Sequence, residues 1–404
     1  MDNLWRHADF MKLWTGQTIS EIGSRISREG VPLTAVLILR ATPAQMGALT
    51  AIGAAAVLLF SLVAGIWVDR LRRRPILIAA DLARAALLAT IPLAAARNLL
   101  SMPQLYVVLA LTGVLTVFFD VSYQSYLPSL VGRDQLLEGN SKLAMSSSAA
   151  EIAGPGLTGF LVQLISAPIA ILFDAISFLF SALMVGLIRK PEPTPTRHVR
   201  KHWRTEIGVG LRFIAQQPIL RALAARSATA YLFYGLIGPL YILYGIRELR
   251  LSPAAIGIAI AMGGVGSLIG SSLAPRIGRR LGLGKTFIAA SVVIGITAFF
   301  IPLAHGSVWL AMTCLLVSQL FGDAAFSIYE VNELSLRQTL APHDVLGRVN
   351  GAMQLLSLGV WPLAAMVGGV LAGAIGLRAT LTIAASGVLL SSAWLIFSPI
   401  RRLD

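Results

Sequence analysis

Apolar residues run through this chain in long blocks that short polar turns interrupt. The blocks at 57–68 and 287–303 carry no strongly polar side chain in most of their length. Crossing the hydrocarbon core of a bilayer takes about 20 mostly apolar residues. Between residues 12 and 399 twelve segments fit that requirement: 12–38, 44–68, 75–96, 103–127, 141–165, 167–188, 218–245, 252–276, 284–304, 307–330, 345–374 and 377–399. Lipid offers no water to an unpaired backbone group, so each segment is expected to be an α-helix. The pattern predicts an all-α membrane protein.

One stretch breaks the rhythm. Residues 190–218 read KPEPTPTRHVRKHWRTEIGVGLRFIAQQP. The first part is rich in Pro and Thr and suits an extended linker. The second part spaces Trp203, Ile207, Leu211 and Ile214 as on one helical face beside basic residues, which suits a short amphipathic helix on the inner membrane surface. A plain tether is the alternative reading. Either way the chain divides into a six-helix bundle at 1–189, a cytoplasmic linker with a short amphipathic helix at 190–217, and a second six-helix bundle at 218–404. The halves echo each other. FFDVSY with Asp120 matches FGDAAF with Asp323, and DQLLEGN at 134–140 matches DVLGRVN at 344–350. Repeated halves of this kind are a signature of transporters.

Composition strengthens the membrane reading. Hydrophobic residues make up 56% and charged ones 13%, against about 25% charged in a soluble domain. Mean hydropathy is +0.76. The net charge of +14 would suit nucleic acid, but its placement argues for a membrane instead. With the N-terminus inside, 25 of the 33 Lys and Arg fall in cytoplasmic segments, and only Arg40, Arg97, Arg247, Arg250 and Arg378 fall outside. That bias predicts both termini on the cytoplasmic side. The single Cys314 excludes an internal disulfide. The start, MDNLWRHADF, lacks the short apolar core and small-residue cleavage site of a removable signal peptide.

Three motifs carry chemistry. GIWVDRLRRRP, at 65–75, joins the second and third segments at a cytoplasmic turn. Its glycine permits close helix approach, and its carboxylate suits a helix N-terminus or an arginine. Here the chain resembles the major facilitator superfamily, whose hallmark loop has this form. A degraded copy, GSSLAPRIGRRLG, places Ala274 where the acid would fall. The resemblance implies two six-helix bundles with a cavity between them. It also implies an inner gate made of Gly65, Asp69, Arg70 and Arg73 in the loop, Asp120 near the end of the fourth segment, and Gly347 and Arg348 at the start of the eleventh. EIAGPGLTGF at 151–160 resembles the antiporter motif of the superfamily's exporters through Gly154, Pro155 and Gly159. The opening LWTGQTISEIGS and the stretch SLRQTLAPHDVLGRVNGAMQ at 335–354 resemble the branch that contains the enterobactin exporter and macrolide-efflux proteins.

The first segment also carries Glu21, Arg25, Arg28 and Glu29 near mid-span. Residues four apart share a helix face. A charge at mid-bilayer costs about 2.5–3.5 kcal/mol on insertion scales, so such a group is a candidate for function. Glu151 stands at comparable depth. Glu21 is the expected proton carrier, joined by Glu151, and Arg25 and Arg28 are expected to tune their affinity or hold an anionic group; a permanent, purely structural Glu21–Arg25 pair with Glu151 as the carrier is the other reading. Asp81 and Arg84, three apart, suit a simple pair. The expected function is export of small organic molecules by proton-coupled antiport with alternating access. Siderophore or metabolite export, or lipid flipping, are the alternatives. The expected partners are a small-molecule substrate, protons and membrane lipid, with no nucleic acid, in a monomer. No cofactor, metal cluster or catalytic constellation is expected.

Overall fold

The computed structural model describes residues 4–68, 70–132, 135–192, 203–342 and 345–403. Every long element is helical. The first six are α1 (Ala8–Leu37), α2 (Pro43–Val68), α3 (Arg73–Ala96), α4 (Met102–Leu130), α5 (Leu136–Leu164) and α6 (Ala167–Gly186). Then come α7 (Trp203–Gln216), α8 (Pro218–Arg247), α9 (Pro253–Leu281), α10 (Leu283–Ala298) with the short α11 (Phe300–Leu303), and α12 (Val308–Leu340). Last are α13 (Leu346–Leu358), α14 (Trp361–Ile375), α15 (Leu377–Leu390) and the short α16 (Ala393–Ile396). Proline opens α2, α8 and α9, where its missing N–H costs nothing and its fixed φ suits the first turn. His7 and Ser307 accept backbone N–H bonds that cap α1 and α12.

Among the described residues ten helices or helix pairs are long and apolar enough to cross a bilayer. The protein is a multi-pass membrane protein. Two more helices, α1 and α5, have 30 and 29 residues; α1 is too rich in charge to join that set, and α5 too rich in serine, glycine and other weakly apolar residues. Segments read as single helices at 284–304, 345–374 and 377–399 are each broken once. The break between α13 and α14 has a plain cause: Pro362 has no N–H to give the carbonyl of Leu358, where α13 ends.

Five helix starts recur at one constant offset: 8 and 218, 43 and 253, 73 and 283, 136 and 346, 167 and 377; α4 and α12, at 102 and 308, are the exception. The turns recur as well. Leu39 and Ala41 bond back to Thr34 and Ala35, while Leu249 and Leu251 bond back to Tyr244 and Gly245. Arg40 and Arg250 take the same left-handed φ, 50° and 52°.

The chain forms two compact units. Unit 1 comprises residues 1–41, 52–199 and 252–258; unit 2 comprises 42–51, 200–251 and 259–404. In unit 1, α1 packs on α6 and α5, and α3 on α6 and α4. In unit 2 the matching pairs pack: α8 on α15 and α14, and α10 on α15 and α12. Phe10, Leu13, Leu77, Phe119 and Tyr126 belong to the core of unit 1, and Leu220, Leu223, Phe287, Tyr329 and Val388 to that of unit 2. The helix α7 is part of unit 2. Its Ile214 is buried in that core, and Gly210 lies against the carbonyl of Arg348.

Candidate functional site

The charged residues of α1 meet the glycine-proline motif of α5 inside unit 1. Arg25 donates from Nη1 to Oε1 of Glu151 at 3.0 Å. The contact depends on Gly154: a methyl group there would collide with Cβ of Arg25 and lie 2.8 Å from Cγ. Glycine therefore provides the seat over which the arginine stem passes on its way to Glu151. Pro155 cannot donate to the carbonyl of Glu151, its partner four residues back, so it loosens the helix at that residue. The Arg25 side chain is 11% exposed and that of Glu151 is 58% exposed, so the carboxylate end stays reachable. Gly159, one turn on, has another partner: it seats the first turn of α9, with Cα of Ala254 3.0 Å from where its Cβ would stand.

Glu21 lies apart from this pair. It helps line a cavity of about 270 Å³ in unit 1, together with Gln17 and Thr18 of α1, Tyr123 of α4, and Asn140 and Ser147 of α5. Thr18 donates to the hydroxyl of Ser146 at 3.0 Å, and Gln17 donates to the hydroxyl of Ser181 at 3.2 Å. Among the described residues Glu21 has no ion pair. It lies in the electrostatic reach of Asp120, Tyr123 and Arg28. Arg28 and Glu29 face each other's charge further along α1. They follow Glu21 by seven and eight positions, and a rise of about 1.5 Å per residue puts them two turns away from it.

Unit 1 also holds a fully buried pair. Arg84 donates to Asp81 in α3 and to Thr116 of α4 at 3.3 Å. Its guanidinium lies between the rings of Phe119 and Phe178, 4.3 and 4.1 Å from their centroids. Carboxylate and aromatic faces together compensate its desolvation. Asp174, also buried, accepts from Ser177 at 3.2 Å and lies where a Cβ on Gly23 would meet it.

The residues expected in the inner gate are placed as follows. Asp69 lies outside the described residues. Gly65 falls near the end of α2, and Arg70 is exposed at the turn that follows. The ion-pair partner of Arg73 is Glu192, at 3.6 Å, which also accepts the backbone N–H groups of Arg73 and Arg74 at 2.7 and 3.1 Å. Asp120 lies near Glu21 and Arg84 instead. Gly347 and Arg348 open α13 beneath α7. The end of α6 is tied in the same region. Asp9 accepts the backbone N–H groups of Arg189 and Lys190 and a bond from Lys12 at 2.8 Å. Partial burial opposes its charge, but those donors outweigh it and hold its carboxyl below the ordinary carboxylate range.

Unit 2 mirrors the contact without the charges. Gly235 and Ala364 stand at the offset of the helix starts from Arg25 and Gly154, and they touch in the same way. Tyr231 and Trp361, at the positions of Glu21 and Glu151, form an edge-to-face pair 6.2 Å apart. The sequence reading missed Arg226, counted there among the cytoplasmic charges. It is 1% exposed in α8, donates to Ser291 at 3.0 Å and lies over the Tyr329 ring at 3.9 Å. Only its closeness to the linker hid it. Among the described residues no cluster of His, Cys, Asp and Glu could hold a metal ion.

Residues 13–362 match the family model of the Major Facilitator Superfamily. The chain is 28% identical to a protein described as multidrug efflux pump Tap from Mycolicibacterium fortuitum, over 87% of each chain. It is 27% identical to an uncharacterized MFS-type transporter, YfiS, from Bacillus subtilis strain 168, over 91% of this chain and 87% of the other. Among solved structures, a bacterial homologue of the iron transporter ferroportin in its inward-facing state superposes with a TM-score of 0.76 at 21% identity, covering 96% of this chain and 98% of that one.

Proposed function

This chain belongs to the major facilitator superfamily and is a transporter, not an enzyme, and from that premise we propose that it exports small organic molecules in exchange for protons. In this reading the ten apolar spans together with α1 and α5 make twelve crossings in two six-helix bundles, joined by the segment around α7. Both termini face the cytoplasm of a cell whose inner membrane holds the protein as a monomer. Export is favoured by the efflux-pump relative and by the resemblance of Gly154, Pro155 and Gly159 to the antiporter motif.

The observation that carries the proposal is the seating of Arg25 over Gly154 against Glu151. Glu151 is accessible and paired through one charge-assisted bond. A proton arriving on it cancels its charge and frees the guanidinium. Glu21, four residues before Arg25, shares its helix face and is the next acid within reach. Arg25 then neutralises Glu21 at the cavity wall. Proton binding at Glu151 thus changes the partner of Glu21, and Glu151 itself is charged in one state and neutral in the other, which is what antiport requires. Arg28 and Glu29 tune the field along α1. Gly65, Asp69, Arg70, Arg73, Asp120, Gly347 and Arg348 form the inner gate in this reading, with Glu192 holding Arg73 in the state described.

The test is a screen of organic compounds in proteoliposomes with an imposed pH gradient, repeated with Glu151→Gln and Glu21→Gln. Wild-type protein should accumulate cargo against its gradient. Glu151→Gln should lose that accumulation by about tenfold or more yet still exchange cargo when no gradient is imposed. Stable Glu151→Gln protein that pumps with unchanged pH dependence would overturn the assignment.

A further inference from the structure

We infer that the Glu21 cavity of unit 1 binds the protonated amine of a small organic cation; this deepens the reading of the same site as the cargo site and rests on it. The cavity of about 270 Å³ lies at the lower edge of the range of ligand pockets, roughly 300–1,000 Å³. It has room for a head group, not for a whole drug-sized molecule. Its wall carries hydroxyl and amide groups from Gln17, Thr18, Asn140 and Ser147, one phenol from Tyr123, and a single charged side chain, Glu21.

What gives this wall its sign is the fate of the nearest cation. Arg25 stands one turn from Glu21, the spacing at which opposite charges on a helix pair. It does not pair there, because the missing side chain at Gly154 lets its stem cross α5 to Glu151. Arg28, two turns away, answers Glu29 and Glu151 more strongly than Glu21, and Arg84 is occupied by Asp81 between two phenylalanine rings. Asp120 adds a second negative charge within electrostatic reach. The carboxylate of Glu21 is left with a polar, hydrogen-bonding cavity before it and no protein cation to close on. An ammonium group satisfies that arrangement. It donates to the carboxylate and to the hydroxyl and amide oxygens around it, and its carbon neighbour can rest on the Tyr123 ring. A carboxylate or phosphate ligand would meet like charge from Glu21 and Asp120. The mirrored positions of unit 2 hold Tyr231 and Trp361, so the acid is a property of this unit and not of the repeat.

The experiment compares phenethylamine with its neutral analogue 2-phenylethanol, measuring binding to the full-length protein in lipid nanodiscs at neutral pH by calorimetry. The amine should bind about tenfold tighter or more, the discrimination expected of a charge-assisted hydrogen bond. Glu21→Gln should abolish the preference. Gly154→Ala leaves Glu21 in place but displaces the Arg25 stem. Arg25 then turns to Glu21, and the preference should fall as well. Equal binding of the two probes, or a preference that survives in Glu21→Gln, would overturn the inference. If a neutral compound is pumped by the pH gradient while the amine preference is absent, the charge class falls and efflux stands. If the amine binds through Glu21 but no amine or other compound is moved by the gradient, the efflux reading falls and the binding site stands.

Discussion

At the residue scale the structure is governed by what buried charges demand. Arg84 and Asp81 answer each other inside unit 1 and two aromatic rings cover the guanidinium. Removing one partner of such a pair leaves an uncompensated charge and costs about 3–5 kcal/mol, whereas replacing both can be close to neutral. Asp81→Asn should therefore lower the melting temperature of the detergent-solubilised protein sharply, and Asp81→Asn with Arg84→Met should recover much of it. A single variant that melts with the wild type would show that the pair contributes nothing. This pair was legible in the sequence, because a spacing of three on a helix is enough to bring the two together. Arg226 was not. Hydropathy locates a helix boundary only to within a turn or so, and it says nothing about which way a side chain near that boundary points. The seat of Arg25 on Gly154 was also invisible. The two residues belong to different helices, and sequence periodicity describes one helix at a time.

At the element scale, small residues decide how closely helices approach. Gly16, Gly23 and Gly30 repeat every seven residues along α1 and face Met184 and Ser181, Ser177 and Asp174, and Ile171 of α6. The repeat of seven keeps one face of a helix against one neighbour. Gly23 is the tightest of the three: an added Cβ would overlap the Ser177 hydroxyl and lie 2.7 Å from Asp174. Gly23→Val should cause loss of the monodisperse peak in size-exclusion chromatography, while Gly53→Ala, where nothing lies within 4 Å, should elute and melt unchanged. A monodisperse Gly23→Val protein of wild-type stability would contradict the packing described. The existence of every long helix was legible from apolar runs, and the proline-bearing turns from their residues. The internal breaks were not. The segment 345–374 reads as one mostly apolar span despite Arg348, Asn350 and Gln354, and only the backbone chemistry of Pro362, applied to Leu358, explains where α13 stops.

At the scale of the whole molecule, the sequence made its strongest statement through repetition. Three short motif matches pointed to two halves, and the structure extends that to turn geometry, helix pairings and five helix starts in one shared register. The same register also exposes the difference that matters. Where unit 1 has Glu21 and Glu151, unit 2 has Tyr231 and Trp361. The Glu21 and Glu151 acids are thereby confined to one half, a distinction that follows from aligning the halves by structure. The central claim is that proton and cargo move in opposite directions because Arg25 answers to two acids. The most direct measurement uses a non-titrating cargo found in the proteoliposome screen. A cargo gradient is imposed with no initial pH gradient, and the internal pH is followed with a trapped dye. The account predicts proton movement opposite to cargo in the wild type, and cargo movement without proton movement in Glu151→Gln. Cargo flux through the wild-type protein with no accompanying change in internal pH would contradict it.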